Sequence, residues 1–345
     1  MAPGKDGSGQ GVWEPDEVLS DRYRVLHEQR RSSTGYIYKV QDVFRDVPHL
    51  VLCPSPRMLS DTGALDWFVQ FCRNALSVAH HPNLLACRRM DYEGKVPYLV
   101  MDYVEGSYWD QAIERGLLTE LSDMLNIAIQ VARGLEWLHE NGRVHGNFKP
   151  ANVIVSEKPY VGEVLKYGET YAHTRAYAAP EQLAPERDLS PATDIWCWAA
   201  SVLHMFTGMV NWSLGPRAPK ALERYLRNGP AVPGMALMPG PVVSLLEQCF
   251  RADPSERPAS TAGITEQLED IYYNVTNATY ESPPSDETYD SEHLVDDEVQ
   301  TCALPISENK EHGHQRAEAP PPRRRFSPRR QSSRSRSRRR PDEHS

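Results

Sequence analysis

From Pro191 to Thr207 the chain reads PATDIWCWAASVLHMFT, apolar on nearly every side of a helix through Ile195, Trp196, Trp198, Ala199, Val202, Leu203 and Met205. A helix without a polar face has to be enclosed by protein, so this segment belongs at the centre of a helical body. Upstream, Leu121, Leu125, Ala128, Val131, Leu135 and Leu138 recur at steps of three and four, which predicts a long amphipathic helix. It should stop at Asn141-Gly142, where glycine suits a left-handed cap. Val242 to Phe250 and Thr261 to Tyr272 read as further helices. The N-terminal third has a different rhythm. Tyr23, Val25 and Leu26, then Tyr36, Tyr38 and Val40, predict two short strands around a turn at Arg30 to Gly35. His49 to Cys53 predicts a third strand, ended by Pro54 and Pro56. Ala64 to Val78 predicts a helix, and Leu84 to Arg88 and Tyr98 to Val104 two more strands. The expected fold class is α+β and two-lobed: a small antiparallel β-sheet lobe with one helix, then a larger, mostly helical lobe and a disordered C-terminal tail.

A hydrophobic fraction of 40% over 345 residues supports a sizeable core. The formal charge of −9 hides opposed regions: Pro258 to Asn309 contains no Lys or Arg, whereas Arg323 to Arg340 reads RRRFSPRRQSSRSRSRRR. Composition therefore divides the chain into a disordered leader at 1–20, a folded domain at 21–273, an acidic disordered linker at 274–319 and a basic Arg/Ser-rich disordered tail at 320–345. Within the domain the small lobe is expected at 21–104 and the large lobe at 105–273. The cysteines are scattered, with no C-x-x-C pair and no metal-ligand spacing, which predicts reduced thiols. No apolar run approaches the roughly 20 residues of a membrane span, and the Gly-rich polar N-terminus does not read as a signal peptide. A cytoplasmic or nuclear location is the expectation.

Between the two predicted large-lobe helices stands His145-Gly146-Asn147-Phe148-Lys149-Pro150-Ala151-Asn152-Val153. It resembles the catalytic loop of eukaryotic-type protein kinases, H-R-D-L-K-P-x-N-[IV], with Arg and Asp both changed. Further motifs of that family follow in register. Ala179-Pro180-Glu181 resembles A-P-E, Asp194-Ile195-Trp196 the D-x-W of the central helix, and Asp253-Pro254-Ser255-Glu256-Arg257-Pro258 the D-P-x-x-R-P. His81-Pro82-Asn83 sits between helix and strand as in kinases, and Tyr98-Leu99-Val100-Met101 resembles the strand leading to the hinge. The resemblance runs from about Arg22 to about Tyr273. It implies that Glu181 and Arg257 pair to fasten the activation segment, that Asp194 accepts N–H bonds from the catalytic loop, and that His145 braces that loop. It also implies that any nucleotide would meet Gly35, Met101, Asp102 and Val104, with Met101 as gatekeeper. Read without the family, Met101 simply fills a core.

The departures fall on the groups that move a phosphoryl group, a reaction resting on positioning and charge neutralisation. The phosphate cradle G-x-G-x-x-G reads Gln29-Arg30-Arg31-Ser32-Ser33-Thr34-Gly35, which keeps Gly35 alone. There is no lysine between Lys39 and Lys95, and either Leu52 or Cys53 takes the place of the strand lysine, depending on alignment by one residue. Its glutamate partner falls at Cys72. The catalytic aspartate is Asn147, whose amide has no basic lone pair of useful pKa. The magnesium-binding D-F-G aspartate is Lys166 in Lys166-Tyr167-Gly168, a cation where a dication should bind. Lys149 and Asn152 survive and resemble the lysine near the γ-phosphate and a magnesium ligand; as relics they would only maintain loop hydrogen bonds.

The resemblance thus implies a catalytically impaired domain, a pseudokinase acting as a scaffold or allosteric binding module through protein contacts of its lobes. No metal and no cofactor is expected, beyond weak ATP binding that Lys166 would support without magnesium. An atypical ATP-binding kinase or transferase using Lys149, Asn152 and Lys166 is the alternative. A third expectation is a nucleic-acid-associated adaptor, in which Arg323 to Arg340 binds RNA or another polyanion through phosphates, with strong salt dependence. The same tail also reads as a solvated low-complexity segment.

Overall fold

The computed structural model describes residues 12–31, 35–156, 159–161, 174–184 and 189–281. Lys166-Tyr167-Gly168, the tail Arg323 to Arg340 and most of the expected acidic linker lie outside these residues. In the small lobe, β1 (Val18–Leu19), β2 (Tyr23–Arg31), β3 (Gly35–Asp42), β4 (Val47–Pro54), β5 (Cys87–Glu93) and β6 (Val96–Asp102) form one sheet. Its order is β1-β2-β3-β4-β6-β5, and every neighbouring pair is antiparallel. Alternation along the strands sends Tyr38, Val40, Val51, Cys53, Tyr98 and Val100 to one face. Leu50, Leu52, Leu99 and Met101 go to the other, against the α2 helix (Thr62–Leu76), which follows the single turn α1 (Pro56–Leu59). Asp61 caps α2, its carboxylate accepting the Ala64 N–H at 3.1 Å.

Three sequence expectations need correction here. The two hairpin strands are longer than predicted and take Arg30, Arg31 and Gly35 into the ladder. The strand expected at Leu84 to Arg88 instead begins at Cys87 and runs to Glu93. The leader is ordered from Val12 onward: the Trp13 ring lies 5.5 Å from Tyr38 and 5.7 Å from Tyr98, and the Val12 N–H reaches the Tyr38 hydroxyl at 2.9 Å. The reason is burial. The sheet face away from α2 carries aromatic side chains that the large lobe does not reach, and Trp13 and Leu19 cover them.

After a hinge, β7 (Ser107–Tyr108) and α3 (Trp109–Glu114) open the large lobe. There β7 pairs with β8 (Val153–Val155), which pairs with β9 (Pro159–Val161). The long helix α4 (Leu121–Glu140) ends where Gly142 takes φ +68°, as its sequence demands. It is buried well beyond its predicted stripe, at Met124, Ile127, Ile129, Gln130 and Ala132, because α5 (Pro191–Thr207) and α8 (Thr261–Thr276) both pack on it. Helix α5 is buried at every residue from Thr193 to Thr207, as its all-round apolar character requires, with α6 (Ala218–Asn228) and α7 (Gly240–Cys249) against it. The two lobes are joined at His81-Pro82-Asn83. The Asn83 amide donates to Gln130 Oε1 at 2.9 Å and His81 stacks on Trp137 at 5.4 Å, both residues of α4.

The domain also extends past the expected end at residue 273. Helix α8 runs to Thr276, and Tyr280 returns edge-on to Tyr272 at 5.4 Å with its hydroxyl 3.2 Å from Asn126 Oδ1. No described helix is long and apolar enough to cross a membrane. Cys53, Cys72, Cys87, Cys197 and Cys249 are unbridged.

Because Trp13 is 7% exposed, Trp13→Ala should destabilise the protein by about 3 kcal/mol, in the range of large-to-small core changes. Urea unfolding measures this; an unchanged midpoint would mean that the leader does not belong to the fold.

Candidate functional site

The site is assembled around the carboxylate of Asp194, buried in the first turn of α5. Its oxygens accept the His145 N–H at 2.8 Å, the Gly146 N–H at 2.7 Å and the His139 Nε2 proton at 2.9 Å. A loop that offers two successive N–H groups to one carboxylate must turn sharply, and Gly146 does so at φ +64° without a Cβ penalty. The loop is then cross-braced: the Asn147 N–H donates to His145 Nδ1 at 3.2 Å, and the Asn152 amide to the Asn147 carbonyl at 2.7 Å. Gln182, which the sequence reading overlooked, donates to the Gly146 carbonyl at 2.7 Å and accepts the Ala179 N–H at 2.9 Å. Its amide has no motif letter of its own, so only the folded loop discloses it.

Glu181 and Arg257, 76 residues apart, meet as a bidentate pair at 2.8 and 2.9 Å. Arg257 also donates to the carbonyls of Ala192 and Arg251 and lies over the Trp196 ring at 5.0 Å. Burial alone would raise the Glu181 pKa, but the hydrogen bond and charge of Arg257 outweigh it and hold the carboxyl below its usual value.

On the ceiling of the site the one-residue ambiguity resolves. Leu52 points to the α2 face and shares an apolar cluster with Phe68 and Cys72, whereas Cys53 points to the opposite face beside Trp13 and Tyr38. Leu52 and Cys72 are therefore the counterparts of the lysine–glutamate pair. The same cluster takes in Met101 from the end of β6 and Tyr108 and Ile154 from β7 and β8, so apolar packing continues from one lobe into the other. Met101 fills this core as its plain reading expects. At the hinge, Asp102 is held by Arg88 through two 2.6 Å contacts, its N–H donates to the Ala86 carbonyl, and Val104 packs on the cluster. Lys39 Nζ lies 3.9 Å from the centre of the Tyr103 ring. Gly35 opens β3, paired with Pro54.

With Gly35 as the last glycine of the cradle, Arg30 occupies the position of the first. It crosses to the large lobe: its guanidinium is 2.9 Å from Asp110 Oδ2 and stacks 4.2 Å from the centre of the Tyr108 ring. Neither Asp110 nor Tyr108 was singled out from sequence, since no local pattern links positions 80 residues apart. Burial first, and then the charge of Arg30, lower the Lys149 pKa to about 8 against the opposing pull of Asp110. A magnesium nucleotide held in the kinase manner needs close backbone approach to phosphate, a strand lysine and anionic metal ligands. Arg30 at the cradle and Leu52 at the lysine position do not fit that group.

Two outcomes follow from this arrangement. Leu52→Lys alone would bury an unpaired charge and should cost about 3–5 kcal/mol. Adding Cys72→Glu should recover part of that loss. Urea unfolding of both singles and the double provides the cycle, and strictly additive costs would show that the two positions do not face one another. For Glu181, a lowered folded pKa means stability that is complete above the usual carboxyl value and lost as pH falls through the lowered one. Glu181→Gln should therefore flatten the acid limb of a stability–pH curve between about pH 5 and 2.

The arrangement matches known proteins. The protein kinase domain family matches residues 72–272, more than half of the chain. A Clostridium acetobutylicum protein named "Probable serine/threonine-protein kinase" is 25% identical over 278 residues, which cover 75% of this chain and 41% of that protein. The serine/threonine-protein kinase PkaA of Streptomyces coelicolor is 28% identical over 204 residues, 54% of this chain and 37% of its own length. The chain thus spans well under half the length of these curated relatives. Among solved structures, the kinase domain of Mycobacterium tuberculosis PknI superposes with a TM-score of 0.57 at 19% identity, covering 75% of this chain and 99% of that one. With the loop on Asp194, the Glu181–Arg257 pair and the two-lobed architecture in place, the chain belongs to the protein kinase domain family.

Proposed function

We propose that this kinase domain works as a pseudokinase, a scaffold or allosteric module that acts through protein contacts of its lobes. The observation that carries the reading is that Leu52 and Cys72 are both buried in one apolar cluster between the sheet and α2. A lysine–glutamate pair removed from one side would leave a buried charge; replaced from both sides, it leaves ordinary core. Meanwhile the groups that hold the fold, Asp194, Glu181 and Arg257, keep their bonds. Asn147 adds to this, since an amide cannot accept the substrate proton. Cofactor use is expected to be none, or weak ATP binding independent of magnesium. The names of the curated relatives favour the competing reading, a phosphotransferase with Lys149, Asn152 and Lys166 in altered roles. Arg/Ser alternation supports association of Arg323 to Arg340 with RNA or another polyanion, and with it a cytoplasmic or nuclear setting.

Purified full-length protein should transfer no phosphate from magnesium ATP to a generic peptide above an enzyme-free control. Millimolar ATP, with magnesium or with EDTA, should leave its melting temperature unchanged, whereas a ligand at 100 times its dissociation constant adds about 2.7 kcal/mol, a shift of a few degrees. Peptide phosphorylation that disappears in Asn147→Ala would overturn the proposal in favour of the enzyme.

A further inference from the structure

We propose that Arg30 and Asp110 form an intramolecular latch that holds the two lobes in one closed setting without any ligand. This goes beyond the proposed function and stands whether or not the chain transfers phosphate. The two residues belong to different lobes, Arg30 to β2 and Asp110 to α3, with the hinge between them. Three observations support a positioned contact. The β2–β3 register shifts between Glu28 and Arg30, a bulge immediately before the arginine, and bulges re-aim the side chain that follows. The guanidinium is gripped twice, by the carboxylate at 2.9 Å and by the Tyr108 ring at 4.2 Å, so its plane as well as its charge is used. Both charged side chains are only about a quarter exposed, at 27% and 23%, which strengthens the pair relative to one in open water.

Asp110 has a second neighbour to serve. Lys149 lies near enough for Arg30 to lower its pKa and for Asp110 to raise it. The one carboxylate therefore offsets two cations, one from each side of the site. Without it, the unfavourable effect of the Arg30 charge on Lys149 would lose its opposition from Asp110. An arginine in place of the first cradle glycine is then not merely an obstacle to phosphate. It contributes a lobe-to-lobe tie of its own, and it presents a partner with one fixed arrangement of the two lobes.

The test is hydrogen exchange on the full chain, comparing wild type with Arg30→Met, Asp110→Asn and the double variant. Methionine keeps an apolar stem on Tyr108 and asparagine keeps the shape of Asp110, so the fold survives both changes. Amides of β2 and β3 should exchange about tenfold faster in Arg30→Met, which loses both the ion pair and the cation–π contact, and about threefold faster in Asp110→Asn, which loses the ion pair alone, with those of α4 and α5 unchanged. The double variant should be no faster than Arg30→Met. In wild type, 1 M salt should open the same amides, and in the variants it should have little further effect. Unchanged exchange in both singles, or single effects that sum in the double, would overturn the latch. Faster exchange spread equally over α4 and α5 would do so as well, because it would report general destabilisation.

Discussion

The site depends on one buried carboxylate. Asp194 sits at the start of α5, a helix enclosed on all sides, and its two oxygens gather the His145 and Gly146 amides and the His139 imidazole. A buried charge persists only when such donors surround it, and here the donors come from the end of α4 and from the loop beyond it. Core and loop therefore stabilise each other. The helix places the carboxylate, and the carboxylate sets the turn from which Asn147, Lys149 and Asn152 project. Arg257 does the same for the next segment, reaching Glu181 and two backbone carbonyls from beneath the Trp196 ring.

Above that frame the chain departs from the family pattern at two places. Where the family carries charge in its small lobe, this chain carries Leu52 and Cys72, so the core of α2 and the sheet runs unbroken to Tyr108 and Ile154. Where the family carries glycine, this chain carries Arg30, tied to Asp110. The first change removes a desolvated ion pair and leaves packing in its place; the second adds a partly exposed one between lobes. The first change follows from the ordinary cost of burying charge.

Much of this was legible in the sequence because it is local or rigidly spaced. An all-round apolar segment can only be central, a three–four stripe can only be a helix face, and the loop from His145 to Val153 carries its own pattern. Asp194, Glu181 and Arg257 were found because their motifs are short. Trp13 was lost in a polar leader, since composition averages away a single anchoring ring. The choice between Leu52 and Cys53 stayed open because strand periodicity is two residues, and a shift of one sends every side chain to the other face.

The order of patterns along the chain was therefore enough to specify two lobes, their central helices and the loop between them, since periodicity and turn chemistry act over a few residues. Pairing across long separations was beyond it. Which face of β4 meets α2, that Arg30 reaches Asp110, that Gln182 bonds the Gly146 carbonyl and that Tyr280 returns to Tyr272 all depend on strand register, a bulge and the packing of distant elements. Those are properties of the assembled fold, because a side chain's partner is set by where the backbone brings it, and no residue type specifies that alone.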